Sequence, residues 1–80
     1  MSRKMTLKDS ERKLLHELLQ EVKPYIVEVL SIEELIDKNM ESAGSVPEFA
    51  AQLRSESESA KDSILRTDLM IYLARLRKRA

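Results

Sequence analysis

The stretch LLHELLQEVKPYIVEVLSIEELI, residues 14–36, decides the fold class. Leu15, Leu18, Val22, Tyr25, Val29, Ile32 and Ile36 recur along it in alternating steps of three and four. On a helix that spacing aligns them on one stripe and sustains a heptad pattern. Leu14, Leu19, Ile26, Leu35 and Met40 flank the stripe and widen it beyond what one neighbouring helix usually covers. Pro24 falls inside the pattern. It lacks a backbone donor and crowds the preceding turn, so a kink near residues 22–23 is expected, with the stripe continuing in phase beyond it. Ser31 with Glu34 matches a capping box and offers an alternative point for a helix to restart.

Outward from this stretch, Thr6 followed by Asp9 reads as an N-terminal cap. On the other side, Ser42-Ala43-Gly44-Ser45 reads as a loop, with Gly44 suited to a left-handed position after a helix. Ser45-Val46-Pro47-Glu48 then opens a new helix with a cap, an early proline and a glutamate. Its apolar residues are Phe49 and Leu53, followed by Ile64, Leu65, Leu69, Ile71, Tyr72 and Leu76. The run Arg54-Ser55-Glu56-Ser57-Glu58-Ser59 separates the two groups, and Ser59 with Asp62 offers a further cap.

With one glycine and two prolines in 80 residues, little turn chemistry is left for β-hairpins. The absence of cysteine removes disulfides and thiolate zinc sites as staples, so stability must come from aliphatic packing. No apolar run approaches the roughly 18 residues that a membrane span needs. The basic start is not followed by the apolar segment of a secretory signal, so a cytoplasmic location is expected.

These features predict an all-α fold in a single domain spanning residues 1–80. Its simplest form is a helical hairpin of two long helices, kinked near Pro24, with arms at 7–41 and 46–78 and a loop at 42–45. Each arm would be roughly 50 Å long. The alternative is a compact three- to four-helix bundle, broken at Ser31 and Ser59. Folding the arms about Ala43 and Gly44 sets Leu15 against Tyr72, Leu18 against Leu69 and Val22 against Leu65. The middle does not match. Tyr25, Ile26, Val27, Val29 and Leu30 face residues 54–61, where Ala60 is the only apolar side chain.

Each large aliphatic side chain left in water forgoes ~1.5–3 kcal/mol, so a cover is expected. A second copy packed through Leu15, Leu18, Val22, Tyr25, Val29, Ile32 and Ile36 would form a dimeric bundle. A helix of another protein would serve the same purpose, as would closure of the chain on itself.

Net charge is zero, but its distribution is uneven. Residues 1–13 carry five basic and two acidic side chains, residues 14–62 four basic and eleven acidic, and residues 63–80 five basic and one acidic. A hairpin would gather residues 3–13 and 75–79 into one basic end, with Lys8, Arg12, Lys13, Arg75, Arg77, Lys78 and Arg79 as candidate anion contacts. Such an end would either orient a protein assembly or contact nucleic acid. The sequence pI of 6.6 lies well below the basic footprint of a nucleic-acid domain, and protein association is the favoured reading.

Catalytic chemistry has no foothold. His16 is the only histidine, there is no cysteine nucleophile, and no glycine-rich phosphate loop is present. A Glu-x-x-His metal pair would need an acid at position 13, which is Lys13. The expectation is a non-enzymatic helical interaction module (an adaptor, chaperone or regulator) without cofactor, metal or small-molecule substrate. It would work through the apolar face of residues 14–40. A dimeric nucleic-acid-associated regulator using the basic end is the alternative.

Overall fold

The computed structural model describes residues 6–79. It holds four α-helices and, among those residues, no strand: α1 (Asp9–Val22), α2 (Val29–Ser42), α3 (Val46–Ser59) and α4 (Ser63–Arg79). The all-α expectation is met. The overall dimensions are 41 × 24 × 21 Å, shorter than a continuous 50 Å arm would require.

Both expected arms are interrupted. The first does not kink and continue at Pro24. α1 ends at Val22, Lys23–Tyr25 form a single 3-10 turn, and Ile26 is extended at φ −112° and ψ 158°. The backbone donors that a continuous helix would have satisfied are met from elsewhere. The N–H groups of Val27 and Glu28 both donate to one carboxylate oxygen of Asp68, at 3.1 and 2.8 Å. Proline makes the break inexpensive, and Asp68 makes it definite. The break at Ser31 that the alternative bundle would use is absent, since α2 already runs from Val29.

The second arm breaks at residues 60–62. Asp62, rather than Ser59, caps the new helix, accepting the N–H of Ile64 at 2.9 Å. Arg66 Nη2 donates to the Ala60 carbonyl at 2.7 Å and closes the turn.

Helix starts follow local chemistry elsewhere. Ser45 accepts the Glu48 N–H at 3.2 Å, and the Glu48 carboxylate accepts the Gly44 N–H at 2.8 Å, as the sequence predicts. Gly44 is not left-handed, however: α2 ends because Ala43 is extended, and the described residues contain no positive φ. α1 begins after Lys8 rather than Thr6. The Glu11 carboxylate accepts the Lys8 N–H at 2.8 Å, and Asp9 and Glu11 face the positive end of the helix dipole.

α4 is the central element. It packs most extensively on α3 and also contacts α1 and α2, while α2 packs on α3 across the loop at 43–45. The shared core contains Leu15, Leu18, Val22, Ile32, Ile36, Phe49, Leu53, Leu69 and Tyr72, none with exposed surface. Phe49 and Tyr72 meet edge to face with ring centroids 6.3 Å apart. Two buried polar side chains, Asn39 of α2 and Ser57 of α3, are also satisfied. Asn39 donates to the Leu35 carbonyl at 2.7 Å and reaches Glu56 at 3.4 Å, and Ser57 donates to the Arg54 carbonyl at 2.8 Å.

Candidate interaction surfaces

The seven residues expected to form an outward interface are placed mostly inside the chain. Leu15, Leu18, Val22, Ile32 and Ile36 are fully buried, Val29 is half-buried, and only Tyr25 is exposed. In the folded monomer the stripe is therefore core. Because α1 and α2 are separate helices, they fold its two halves around α4, and no single long apolar face is left over.

What remains exposed is the middle segment that lacks an opposing apolar partner. Tyr25, Val27 and Leu30 are 63%, 72% and 76% exposed, and Ile64 is nearly half exposed. Ile26 from the same segment is buried. Polar contacts link the turn that carries Tyr25 and Val27 to the start of α4, where Ile64 lies. Asp68 holds the backbone at Val27 and Glu28, and Asp62, which caps Ile64, shares a hydrogen bond with the Glu28 carboxyl. On the far side, the Arg75 guanidinium lies 5.7 Å from the centroid of the Tyr25 ring. The patch thus has a basic border at Arg75 and an acidic border at Glu28 and Asp62.

The acidic border carries an asymmetric carboxyl pair. The shared hydrogen bond with Asp62 is the largest cause raising the Glu28 pKa above its ordinary value, helped by desolvation and by the charges of Asp62 and Asp68. The same hydrogen bond holds the Asp62 pKa below its ordinary value, with the Ile64 N–H acting in the same direction.

A second surface lies between α3 and α4. An open groove of about 440 Å³ runs over Met70, Leu73 and Ala74, rimmed by Arg54, Arg66 and Arg77. Glu58 is the acid on that rim. An adjoining hollow of about 300 Å³, floored by Ala50 and Leu76, shares Arg54, Leu73 and Arg77 with it.

The candidate anion contacts are not gathered at one end. Arg75 and Arg79 reach Glu21, at 3.8 and 2.6 Å, which ties the C-terminal turn of α4 to the C-terminal part of α1. Lys8, Arg12 and Lys13 lie at the opposite end of α1, some 12–20 Å away along its axis. Arg77 lines the α3–α4 groove, and Lys78 sits with Arg75 beside Ile71 and Ala74. Arg3 and Lys4 lie outside the described residues. The single basic end of the hairpin picture is replaced by separate sites, one of them partly neutralised by Glu21.

The model of the MJ1579 family matches residues 12–80. The chain belongs to the MJ1579 family. The match covers nearly all of α1 and the whole of α2, α3 and α4, so both surfaces of this MJ1579-family chain fall inside it. No curated protein and no solved structure matches the chain. Among the described residues of the MJ1579-family chain, no group of three His, Cys, Asp or Glu side chains is placed to hold a metal ion. No helix among them is long and apolar enough to cross a membrane.

Sequence reasoning missed the α3–α4 groove. A signal for it was present in Leu69-Met70-Ile71-Tyr72-Leu73-Ala74. Six successive apolar residues wrap all the way round a helix, so some of them must face away from the core.

Proposed function

We propose that this MJ1579-family chain is a non-enzymatic helical interaction module, an adaptor or regulator, that pairs with a second copy through Tyr25, Val27, Leu30 and Ile64. The observation that carries this reading is the exposure of three large apolar side chains on one turn whose backbone is pinned by Asp68. A rigid apolar patch loses little conformational entropy on docking.

A second copy fits this patch for two reasons. The chain has no net charge, so identical copies do not repel at long range. The borders of the patch are also self-complementary. A two-fold axis through Val27 and Leu30 would bring Arg75 of one copy, whose internal contact with Glu21 is a long 3.8 Å, toward Glu28 and Asp62 of the other. With only four apolar side chains from each copy, the dimer is a weak one, with a dissociation constant on the order of micromolar.

Sedimentation velocity over a concentration series tests the proposal. The wild type shifts from the 9.2 kDa monomer toward twice that mass, while Leu30→Glu stays monomeric and equally helical. Lys13→Glu, on an exposed residue away from the patch, behaves as wild type. A wild type that remains monomeric at about 100 µM, well above the expected constant, overturns the proposal.

A further inference from the structure

We infer that the groove between α3 and α4 is a docking site for an acidic amphipathic helix of a partner protein. This surface is distinct from the patch proposed to join two copies. Its floor is apolar and open: Met70 is 59% exposed, and Leu73 and Ala74 continue the floor along α4. Residues at spacings of three and four on a docked helix would set apolar side chains into this channel, as in other helix-in-groove complexes.

The rim specifies the charge of the occupant. Arg54, Arg66 and Arg77 present three guanidinium groups against the single carboxylate of Glu58. Ion pairs inside the chain hold Lys23, Lys38, Arg75 and Arg79, whereas among the described residues none of the three groove arginines forms one. Arg66 spends one donor on the Ala60 carbonyl, and Arg54 and Arg77 keep theirs for an external anion. Lys8, Lys13 and Lys61 also form no ion pair among the described residues; what sets the groove arginines apart is the apolar floor that they rim.

The spacing of these arginines favours a helix over an isolated anion. Arg66 and Arg77 are eleven residues apart on α4, roughly 16 Å along its axis, and Arg54 faces them from α3. Carboxylates about three turns apart on one helix would engage both ends of the groove, with leucine-sized side chains on the floor between them. Guanidinium groups bind carboxylates bidentately, which fixes the direction and register of the docked helix. A nucleic acid would meet the same arginines with phosphates but offers no apolar side chains for Met70 and Leu73, and Glu58 would repel it.

The test uses the full chain and a fluorescent, hydrocarbon-stapled peptide of about four helical turns. Leucines sit at positions i, i+4, i+7 and i+11, and glutamates flank them. A second peptide replaces every glutamate with lysine, and a random-sequence duplex DNA serves as the phosphate probe. The glutamate peptide binds, the lysine peptide binds at least about tenfold more weakly, and the DNA does not compete. Amide shifts on binding fall on α3 and α4.

Arg54→Ala with Arg77→Ala weakens the glutamate peptide by about tenfold while leaving helicity intact, and Met70→Glu does likewise from the floor. Equal binding of the two peptides, shifts outside α3 and α4, competition by DNA, or no binding at all would each overturn the inference. Leu30→Glu, which removes the proposed self-association, leaves peptide binding unchanged.

Discussion

The Tyr72 hydroxyl donates to the backbone carbonyl of Leu15 at 2.8 Å, joining the middle of α4 to the first half of α1 across 57 residues of chain. Both side chains are fully buried, and Phe49 meets the Tyr72 ring at its edge. Loss of one such hydrogen bond costs about 1 kcal/mol net, because the Leu15 carbonyl keeps its place in the helical ladder. Tyr72→Phe should accordingly lower Tm by roughly 4–8 °C in a domain of this size. A second effect appears in alkali. Burial raises the Tyr72 pKa well above its ordinary value, so the folded chain holds the proton more tightly than the unfolded chain. The associated stability is present below about pH 10 and is lost as pH rises toward the raised pKa. Thermal melts of Tyr72→Phe should lack that alkaline component, and an unchanged slope would show that Tyr72 is not its source.

Asp68 is a buried acid whose work is structural. Alanine at this position leaves the N–H groups of Val27 and Glu28 without their protein acceptor. An unsatisfied, partly buried donor costs about 1–3 kcal/mol, and water reaching this turn reduces the sum for two. Asp68→Ala should destabilise the chain by about 2–3 kcal/mol. Amide exchange at Val27 and Glu28 should accelerate more than at Leu18 or Leu53. Asp68→Asn keeps an acceptor and should lose less. Equal exchange rates at Val27 and Glu28 in wild type and Asp68→Ala would refute the assignment.

The contrast between Pro24 and Asp68 explains how much of the fold is legible in the sequence. Helices, the cap at Ser45 and the loop after Ser42 depend on neighbours within four residues, and local pattern finds them. The break after Val22 depends on Asp68, some 40 residues away, whose carboxylate takes up the freed N–H groups. Proline alone predicts only a kink. Ser31 with Glu34 matches a capping box, yet it lies inside α2, where the helix has already started at Val29. The destination of the apolar stripe is hidden from local pattern for a related reason. A periodic stripe shows which residues share a helix face but not whether that face meets another part of the same chain or a second copy. Asp68 itself was visible as an anomaly, an acid between Leu65 and Tyr72 in the apolar register of α4.

Glu28 and Asp62 should make stability depend on pH in a calculable direction. The raised Glu28 pKa contributes stability that is fully present below the ordinary glutamate range and fades as pH rises through the folded value. The lowered Asp62 pKa contributes stability present above the ordinary aspartate range and lost as pH falls through its own folded value. Glu28→Gln supplies a permanent donor to Asp62 and removes one of the repelling charges. Its Tm should exceed that of wild type at pH 7 and converge with it near pH 4, where Glu28 is largely protonated. A difference that stays constant over this range would rule out the carboxyl pair as its origin.

Leu18 and Leu30 separate the internal role of the 14–40 face from its external one. Leu18 has no exposed surface, whereas Leu30 is 76% exposed. Leu18→Ala removes packed methyl groups and leaves a cavity in the core, at a cost of about 2–5 kcal/mol. In a chain of this length a loss of that size threatens the whole folded population. Leu30→Ala removes atoms already in contact with water and should change monomer stability by less than about 0.5 kcal/mol. Concentration sharpens the distinction. If Leu18 belonged to an interface between copies, denaturation midpoints of Leu18→Ala and wild type would draw together as the protein is diluted, because the wild type would lose its partner. As a core residue, Leu18 gives a difference that does not vary with dilution. Leu30→Ala should show the reverse pattern, matching wild type when dilute and falling below it only where wild type associates. Urea melts at two protein concentrations differing about a hundredfold read both outcomes, and a concentration-dependent gap at Leu18 would return the stripe to the interface.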